Sequence, residues 1–300
     1  MKLMVIGSGP AGISAALYAL RAGIKTTVVS MGAGSLARAE KIENYYGVAQ
    51  PISGEQLHKN GIEQALALGA ELVEDEVVAL RYDGETFEAN TSNGKTISAQ
   101  TVLLATGTAR SVPKIDGIVE FEGRGVSYCA VCDAFFYRGK DVCVLGNGEY
   151  AAHEAAELAP LVRSVTVLTD GSQLSAALAE GVAHDERKIA AIEGGERLAS
   201  VRFADGNSIT ADGVFVAYGT AGSAALARSL GAVVEGANIA VDGEMATSIA
   251  GLFAAGDCVG GLLQVAKAVH DGAVAGMSAI KFLRQQDKSS ETSNVANVRK

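Results

Sequence analysis

The chain has 300 residues and a mass of 30.6 kDa, enough for about two domains. Apolar residues are 48% and charged residues 20%, so a wholly disordered chain is excluded. Lys+Arg 25 against Asp+Glu 34 leaves a net charge of −9 and a pI near 5.0, which argues against a nucleic-acid or anionic-membrane surface. Glycine is abundant, 36 residues against 4 prolines, which points to tight turns where backbone approaches a ligand.

Lys2–Ile6 reads as a short apolar strand. The uncharged run from Leu3 to Leu20 resembles a signal peptide or a short membrane span, but Gly7, Gly9, Pro10 and Gly12 would break such a helix. A strand, a glycine turn and a helix over Gly12–Ala22, stopped by Gly23, explain the run better. Thr26–Ser30 is β-branched and reads as the next strand, parallel to the first through a crossover helix. Helical periodicity covers Gly54–Leu68. Val77–Leu80, Thr86–Ala89 and Thr96–Ala99 read as antiparallel strands around the turn signals at 82–84 and 92–94, and Thr101–Ala105 as a buried strand.

The pattern then returns. Asp141–Leu145 is a strand, Glu149–Ala159 a helix and Ser164–Leu168 a strand. Leu198–Phe203 and Ser208–Ile209 flank the turn 205–207, and Gly213–Ala217 closes the series. A glycine turn, a βαβ unit, a hairpin and a closing strand thus occur twice in one order. The expected class is α/β, with two Rossmann-like, three-layer nucleotide-binding domains. A strand at Leu252–Ala255 and a helix at Leu262–Leu283 follow, and the polar segment 285–300 reads as a solvated, loosely ordered tail.

Three motifs carry chemistry. In Gly7-Ser8-Gly9-Pro10-Ala11-Gly12, Gly7 permits the tight turn, Gly9 lets a pyrophosphate reach the backbone, and Gly12 lets helix and strand pack closely. Pro10 and Ala11 make it more like an FAD fingerprint than an NAD one. No acidic residue ends the second strand, so Ser30 is the candidate for the ribose contact. In Leu252–Asp257, an apolar strand delivers Asp257 behind Gly256, just before the last helix; a plain helix cap is the alternative. Cys129-Ala130-Val131-Cys132-Asp133 is a C-x-x-C followed by a carboxylate. Four cysteines are too few for a disulfide scaffold, and no second metal-ligand pair stands at close spacing, so the pair reads as a redox dithiol with no metal, in a reducing compartment. Asp133 is placed to exchange protons with a thiolate. Cys143, in an apolar strand, and Cys258 read as buried thiols.

Taken in order, these motifs and the second G-x-G-x-x-A at 146–151 resemble the low-molecular-weight thioredoxin reductases over residues 1–283. The resemblance implies a discontinuous FAD domain (1–113 and 245–300) with a dithiol-carrying domain (114–244) inserted. It implies FAD contacts at Ser30, Leu36, Asn44, Val77, Thr106, Gly107, Asp257, Gln264 and Val265 besides the first glycine turn. It also implies a cytoplasmic homodimer that reduces thioredoxin, with Cys132 facing the flavin and Cys129 attacking the partner.

The second turn departs from the family. Glu149 stands at the helix N-terminus where a pyrophosphate would sit, and it would repel that phosphate. Tyr150 adds bulk. The family's basic cluster for a 2′-phosphate is replaced by Leu168-Thr169-Asp170-Gly171-Ser172, with no Arg or Lys between Arg163 and Arg187. A 2′-phosphate would there meet Asp170 with no cation. Asp170 holding a ribose diol, as in NAD sites, is an open alternative. The departure fits the pyridine-nucleotide-independent branch, in which ferredoxin supplies the electrons. A pyridine-nucleotide reductase, a related flavoprotein with another donor or a second flavin, and a flavin- or zinc-binding regulatory module are the other readings. Arg110, Lys114, Arg138 and Lys140 are candidates for a basic docking patch on this acidic chain.

Overall fold

The computed structural model describes residues 1–107, 114–128, 130–218 and 222–297, without the side chains of 38, 131, 132 and 289–297. The chain divides into two compact units, Met1–Ala109 with Gly222–Lys300, and Arg110–Ala221. The second break falls at Gly222, well before the boundary expected at 245. The stretch after 222 forms helix and hairpin contacts with the first unit, including a triple exchange between Thr106 and Ser223, and so stays with it.

The first unit opens with β1 (Lys2–Ile6), α1 (Pro10–Arg21) and β2 (Lys25–Ser30), followed by α2 (Gly54–Ala67) and β3 (Glu71–Glu74). Pro10 starts α1 because its fixed φ suits the first helical position and its missing N–H costs nothing there. Ser53 caps α2 by accepting from Gln56 N. β4 (Val77–Tyr82), β5 (Phe87–Thr91) and β6 (Thr96–Ala99) form an antiparallel sheet of their own, and β7 (Thr101–Leu104) returns to the main sheet.

The second unit begins with β8 (Val126–Ser127), α3 (Ala130–Asp133), β9 (Asp141–Leu145), α4 (Glu149–Leu158) and β10 (Ser164–Leu168). β11 (Ala183–Asp185), β12 (Ile189–Gly194), β13 (Leu198–Phe203), β14 (Ser208–Thr210) and β15 (Gly213–Val216) complete it. Back in the first unit come α5 (Ser223–Ser229), the hairpin β16 (Val234–Glu235) and β17 (Asn238–Ile239), β18 (Leu252–Ala254) and α6 (Val265–Asn297).

Each unit is built on a five-stranded parallel sheet, ordered β18-β7-β1-β2-β3 in the first and β11-β10-β9-β15-β8 in the second. Read from the opposite edge, the second sheet repeats the first strand for strand. Only the outermost strand differs: it comes last in the first unit (β18) and first in the second (β8). The antiparallel trios β4-β5-β6 and β12-β13-β14 correspond as well. The two-fold repeat and the α/β class expected from the sequence are therefore present.

The first core packs α1 and α6 on the sheet around Leu3, Val5, Ala15, Val28, Leu103 and Phe253. Glycines set the distance between these helices: a Cβ on Gly272 would lie 2.1 Å from the Ala11 carbonyl oxygen, and one on Gly276 2.9 Å from that of Ala15. The segment after 285 does not end as the loose tail expected. α6 runs on to Asn297, because no Gly or Pro follows Gly276 and the Gln, Lys and Glu residues there propagate a helix.

Candidate active site

The first glycine turn leaves β1 for α1 with Gly7 at φ 109°. A Cβ on Gly7 would stand 2.3 Å from the Ala105 carbonyl oxygen, and one on Gly12 1.9 Å from the Gly7 carbonyl oxygen. Both glycines are demanded by the packing of the fold. Gly9 is different: nothing lies within 4 Å of where its Cβ would be. That open space faces the first turn of α1, whose leading amides have no intrahelical acceptor. It is a cradle for an anionic group.

Ser8 and Ser30 meet beside this turn, their hydroxyls 2.6 Å apart. His58 Nε2 lies 2.8 Å from Ser8 Oγ, and burial lowers the His58 pKa. Both hydroxyls also reach the Gly32 carbonyl at 3.2 Å, and Ser30 Oγ accepts from Gly32 N. Ser30, expected to meet a ribose, thus has its hydroxyl tied into this network.

Two strands away in the same sheet, beyond β7, Asp257 sits in the short turn after β18. Its carboxylate accepts no hydrogen bond from the described residues, and burial followed by the charge of Asp271 pushes its pKa up, against the pull of Lys267. A half-buried carboxylate without a donor is suited to a ligand that brings hydroxyls. Asn44 Nδ2 donates to Gln264 Oε1 at 3.0 Å, so the loop after β2 meets the start of α6, where Val265 is the first helical residue. Thr106 holds Ser223, with Gly107 next to it; Val77 is buried at the start of β4, and half-buried Leu36 packs its carbonyl where a Gly54 Cβ would stand. An open phosphate cradle after β1 and an acid without a donor after β18, two strands apart in the sheet, fit the two ends of a dinucleotide's polar chain.

In the second unit, Cys129 and the side chain of Cys132 lie outside the described residues. Cys132 falls within α3, and Asp133 ends that helix with its Oδ2 accepting from Ser127 Oγ at 2.7 Å. The following turn leaves Phe135 and Phe136 exposed at 71% and 68%, edge to face with each other, with Arg138 over the Phe135 ring. Lys140 lies over Tyr137. Arg138 and Lys140 of the expected basic patch are thus close in the fold, while Arg110 lies outside the described residues. The remaining thiols are buried, and burial pushes Cys143 up to about 12 and Cys258 up to about 11. They are poor nucleophiles.

The second glycine turn copies the first. A Cβ on Gly146 would lie 2.2 Å from the Ala217 carbonyl oxygen, the counterpart of Gly7 and Ala105. Glu149 opens α4 and Tyr150 is buried beside it. The chain itself then leans on the turn: Ser175 N and Oγ both donate to the Asn147 carbonyl at 2.8 Å, and Asn147 Nδ2 donates to the Gln173 carbonyl. Asp170 is committed on both oxygens, to Ile189 N and to Lys188 Nζ at 2.8 Å each. The expectation that Asp170 stands without a cation is corrected here, because β12 brings Lys188 back to it. Tyr218, after β15, has its hydroxyl buried, and burial followed by the nearby Asp170 raises its pKa.

Residues 1–272 match the pyridine nucleotide-disulphide oxidoreductase family. The chain belongs to this family. It is 34% identical to a thioredoxin reductase of Aquifex aeolicus over 95% of this chain and 94% of that one, and 35% identical to one of Treponema pallidum over 94% and 96%. Among solved structures it is similar to the atypical thioredoxin reductase TRi of Desulfovibrio vulgaris Hildenborough, with a TM-score of 0.89 and 41% identity over 95% of this chain and 98% of that one. It is also similar to a ferredoxin-flavin thioredoxin reductase of Clostridium acetobutylicum, with a TM-score of 0.70 and 32% identity over 95% and 98%. The chain is a thioredoxin reductase-type disulfide oxidoreductase that binds FAD.

Four charged residues of this reductase escape the sequence reading. Half-buried Lys267 and buried Asp271 form an ion pair on α6. Their i, i+4 spacing was the only signal. Glu154, buried on α4, accepts from Ala130 N at 2.7 Å, between the two cysteines in sequence. Lys188 reaches Asp170 from the link between β11 and β12, with nothing local to announce it.

Proposed function

We propose that this reductase takes electrons one at a time from reduced ferredoxin, not from a pyridine nucleotide, and delivers them in pairs through Cys129 and Cys132 to thioredoxin. The observation that carries the choice of donor is the state of the second glycine turn. A dinucleotide there would have to displace the Ser175 contacts to Asn147 and lay its pyrophosphate beside Glu149. The Asp170–Lys188 pair offers neither a free carboxylate for a ribose diol nor net positive charge for a 2′-phosphate. The likeness to the ferredoxin-flavin enzyme of Clostridium supports the same donor.

Bound FAD supplies the junction between one-electron and two-electron chemistry. The Gly7–Gly12 turn, with Gly9, Pro10 and Ala11 lining the cradle, receives its pyrophosphate, and Asp257 behind Gly256 receives its polar chain. Two electrons and two protons open the Cys129–Cys132 disulfide, with Cys132 on the flavin side. The Cys129 thiolate attacks the thioredoxin disulfide and forms a mixed disulfide. Cys132 then attacks Cys129, which restores the enzyme disulfide and releases reduced thioredoxin. Asp133 carries the proton at the thiolate. The working enzyme is a homodimer in the reducing cytoplasm, with its FAD domain made of residues 1–109 and 222–300.

A pyridine-nucleotide donor is the second reading, favoured by Lys188, which would supply a cation if it left Asp170. Anaerobic bleaching of the oxidised flavin by NADPH, NADH and reduced ferredoxin decides between the two. Bleaching by ferredoxin alone is expected. Rapid bleaching by stoichiometric NADPH or NADH overturns the proposal.

A further inference from the structure

The turn that carries Asp257 closes on itself through Gly260 N, which donates to the Asp257 carbonyl at 3.0 Å. Glycines stand at both ends, with Gly256 at φ 82° and Gly260 at φ 76°, and neither contributes a side chain. The turn is also held from α6. Lys267 Nζ donates to the Gly256 carbonyl at 2.9 Å and to the Gly260 carbonyl at 2.5 Å, so one ammonium spans both ends. Its third partner is Asp271 Oδ2 at 2.8 Å, one helical turn further along. The same Asp271 oxygen accepts from Gly256 N at 3.3 Å. Asp271 is only 3% exposed, and His270 Nδ1 lies 3.3 Å from its other oxygen.

A buried ion pair is rarely a net gain in stability, because both charges lose their water. This one spends two of the lysine's three protons and a carboxylate oxygen on the backbone of a single five-residue turn, the third proton holding the pair together. The carboxylate within that turn has no donor of its own. The expenditure makes sense if the turn must be rigid before a ligand arrives, since preorganisation lowers the cost of binding.

We propose that Lys267 and Asp271 are a positioning pair for FAD, a latch that fixes the Gly256–Gly260 turn so that Asp257 is already aimed at the cofactor. The proposal rests on the reading of Asp257 as an FAD contact. Neither latch residue need touch FAD. Breaking the latch on one side leaves a buried charge facing Asp257; removing both charges leaves a slack turn without that repulsion.

The test is titration of the apoprotein with FAD, followed by flavin fluorescence, with the thermal midpoint of each apoprotein measured alongside. Lys267→Met is expected to weaken FAD binding at least tenfold. Lys267→Arg, which keeps the charge and the carbonyl donors, is expected to recover most of the loss, a rescue that a purely space-filling role would not give. The double variant Lys267→Met with Asp271→Asn should bind more tightly than Lys267→Met alone and more weakly than the unmodified protein. Asp257→Ala separates the two levels of the argument. If it weakens FAD binding while Lys267→Met and the double variant bind as the unmodified protein does, the latch is overturned. If Asp257→Ala itself has no effect, the assignment of Asp257 fails and the latch loses its purpose. Should Lys267→Met not fold, the double variant decides, and unmodified affinity in it overturns the proposal.

Discussion

Replacing Glu154 by Gln should stabilise the protein, and the gain should depend on pH in one direction. Glu154 is buried on α4, 7% exposed, with its Oε2 accepting from Ala130 N. Burial pushes its carboxyl from 4.5 up to about 7, with Glu157 adding to the rise and the Ala130 amide opposing it. The unfolded chain ionises this group near 4.5 and the fold resists until about 7, so stability falls as pH rises across that window and levels off above it. The gap of two to three pH steps corresponds to about 3 kcal/mol at pH 8. Gln keeps an acceptor for Ala130 N and carries no charge. Its advantage over Glu should therefore be near zero at pH 4.5 and grow to about 3 kcal/mol above pH 7, a rise in melting temperature of roughly 5–10 °C. Thermal unfolding of the oxidised, FAD-loaded protein by circular dichroism at several pH values between 4.5 and 8.5 measures it. A difference between the two proteins that stays constant with pH would refute the reasoning.

Two further predictions concern the turn and the dithiol. Gly9→Glu should leave the apoprotein folded but lose FAD, because the new side chain enters empty space over the cradle, whereas Gly12→Ala should lower the melting temperature of the apoprotein itself, because its Cβ meets the Gly7 carbonyl; flavin absorbance after gel filtration and apoprotein melting separate the two effects, and full FAD retention in Gly9→Glu would count against the cradle. Cys132→Ser should capture a thioredoxin that retains only its attacked cysteine, activated as the thionitrobenzoate disulfide, and Cys129→Ser should not. Release of thionitrobenzoate and the mixed disulfide on a non-reducing gel report it, and the opposite pattern would reverse the roles of the two cysteines.

The sequence disclosed the frame of the fold because each parallel strand that matters is an apolar, β-branched run next to a glycine whose Cβ would strike a neighbouring carbonyl. Lys2–Ile6 with Gly7 and Asp141–Leu145 with Gly146 are legible for that reason. β3 was missed because Glu71–Glu74 is an edge strand with charged ends and no flanking turn glycine inside its pattern. β11 and β12 were missed because edge strands need only half a hydrophobic face, and α5 because seven residues carry too little periodicity. The open turn at Gly9 was legible in the glycine spacing, and the strand-end placement of Asp257 in the apolar run before it. What the sequence hid are pairings made across the fold: Lys188 with Asp170, Glu154 with Ala130, and the engagement of Ser30 by Ser8 and Gly32. Long-range hydrogen bonds leave no local mark. The resemblance singles out Asn44 and Gln264 each as a cofactor contact, but not their pairing with one another, which spans most of the chain.

The outermost strand of the first sheet has a consequence for how the protein is made. β18 pairs with β7, and α6 packs on α1 through Gly272 and Gly276, so the first unit is closed by segments that leave the ribosome after the whole of the second unit. The second unit lies wholly within Arg110–Ala221 and has all its strands available earlier. During synthesis it can fold while the amino-terminal half of the other unit waits with an open sheet edge at β7 and an uncovered α1. Asp257 and its latch arrive with that last segment. Loading of FAD therefore waits for α6, and a chain truncated before α6 should emerge with a finished dithiol unit and no flavin.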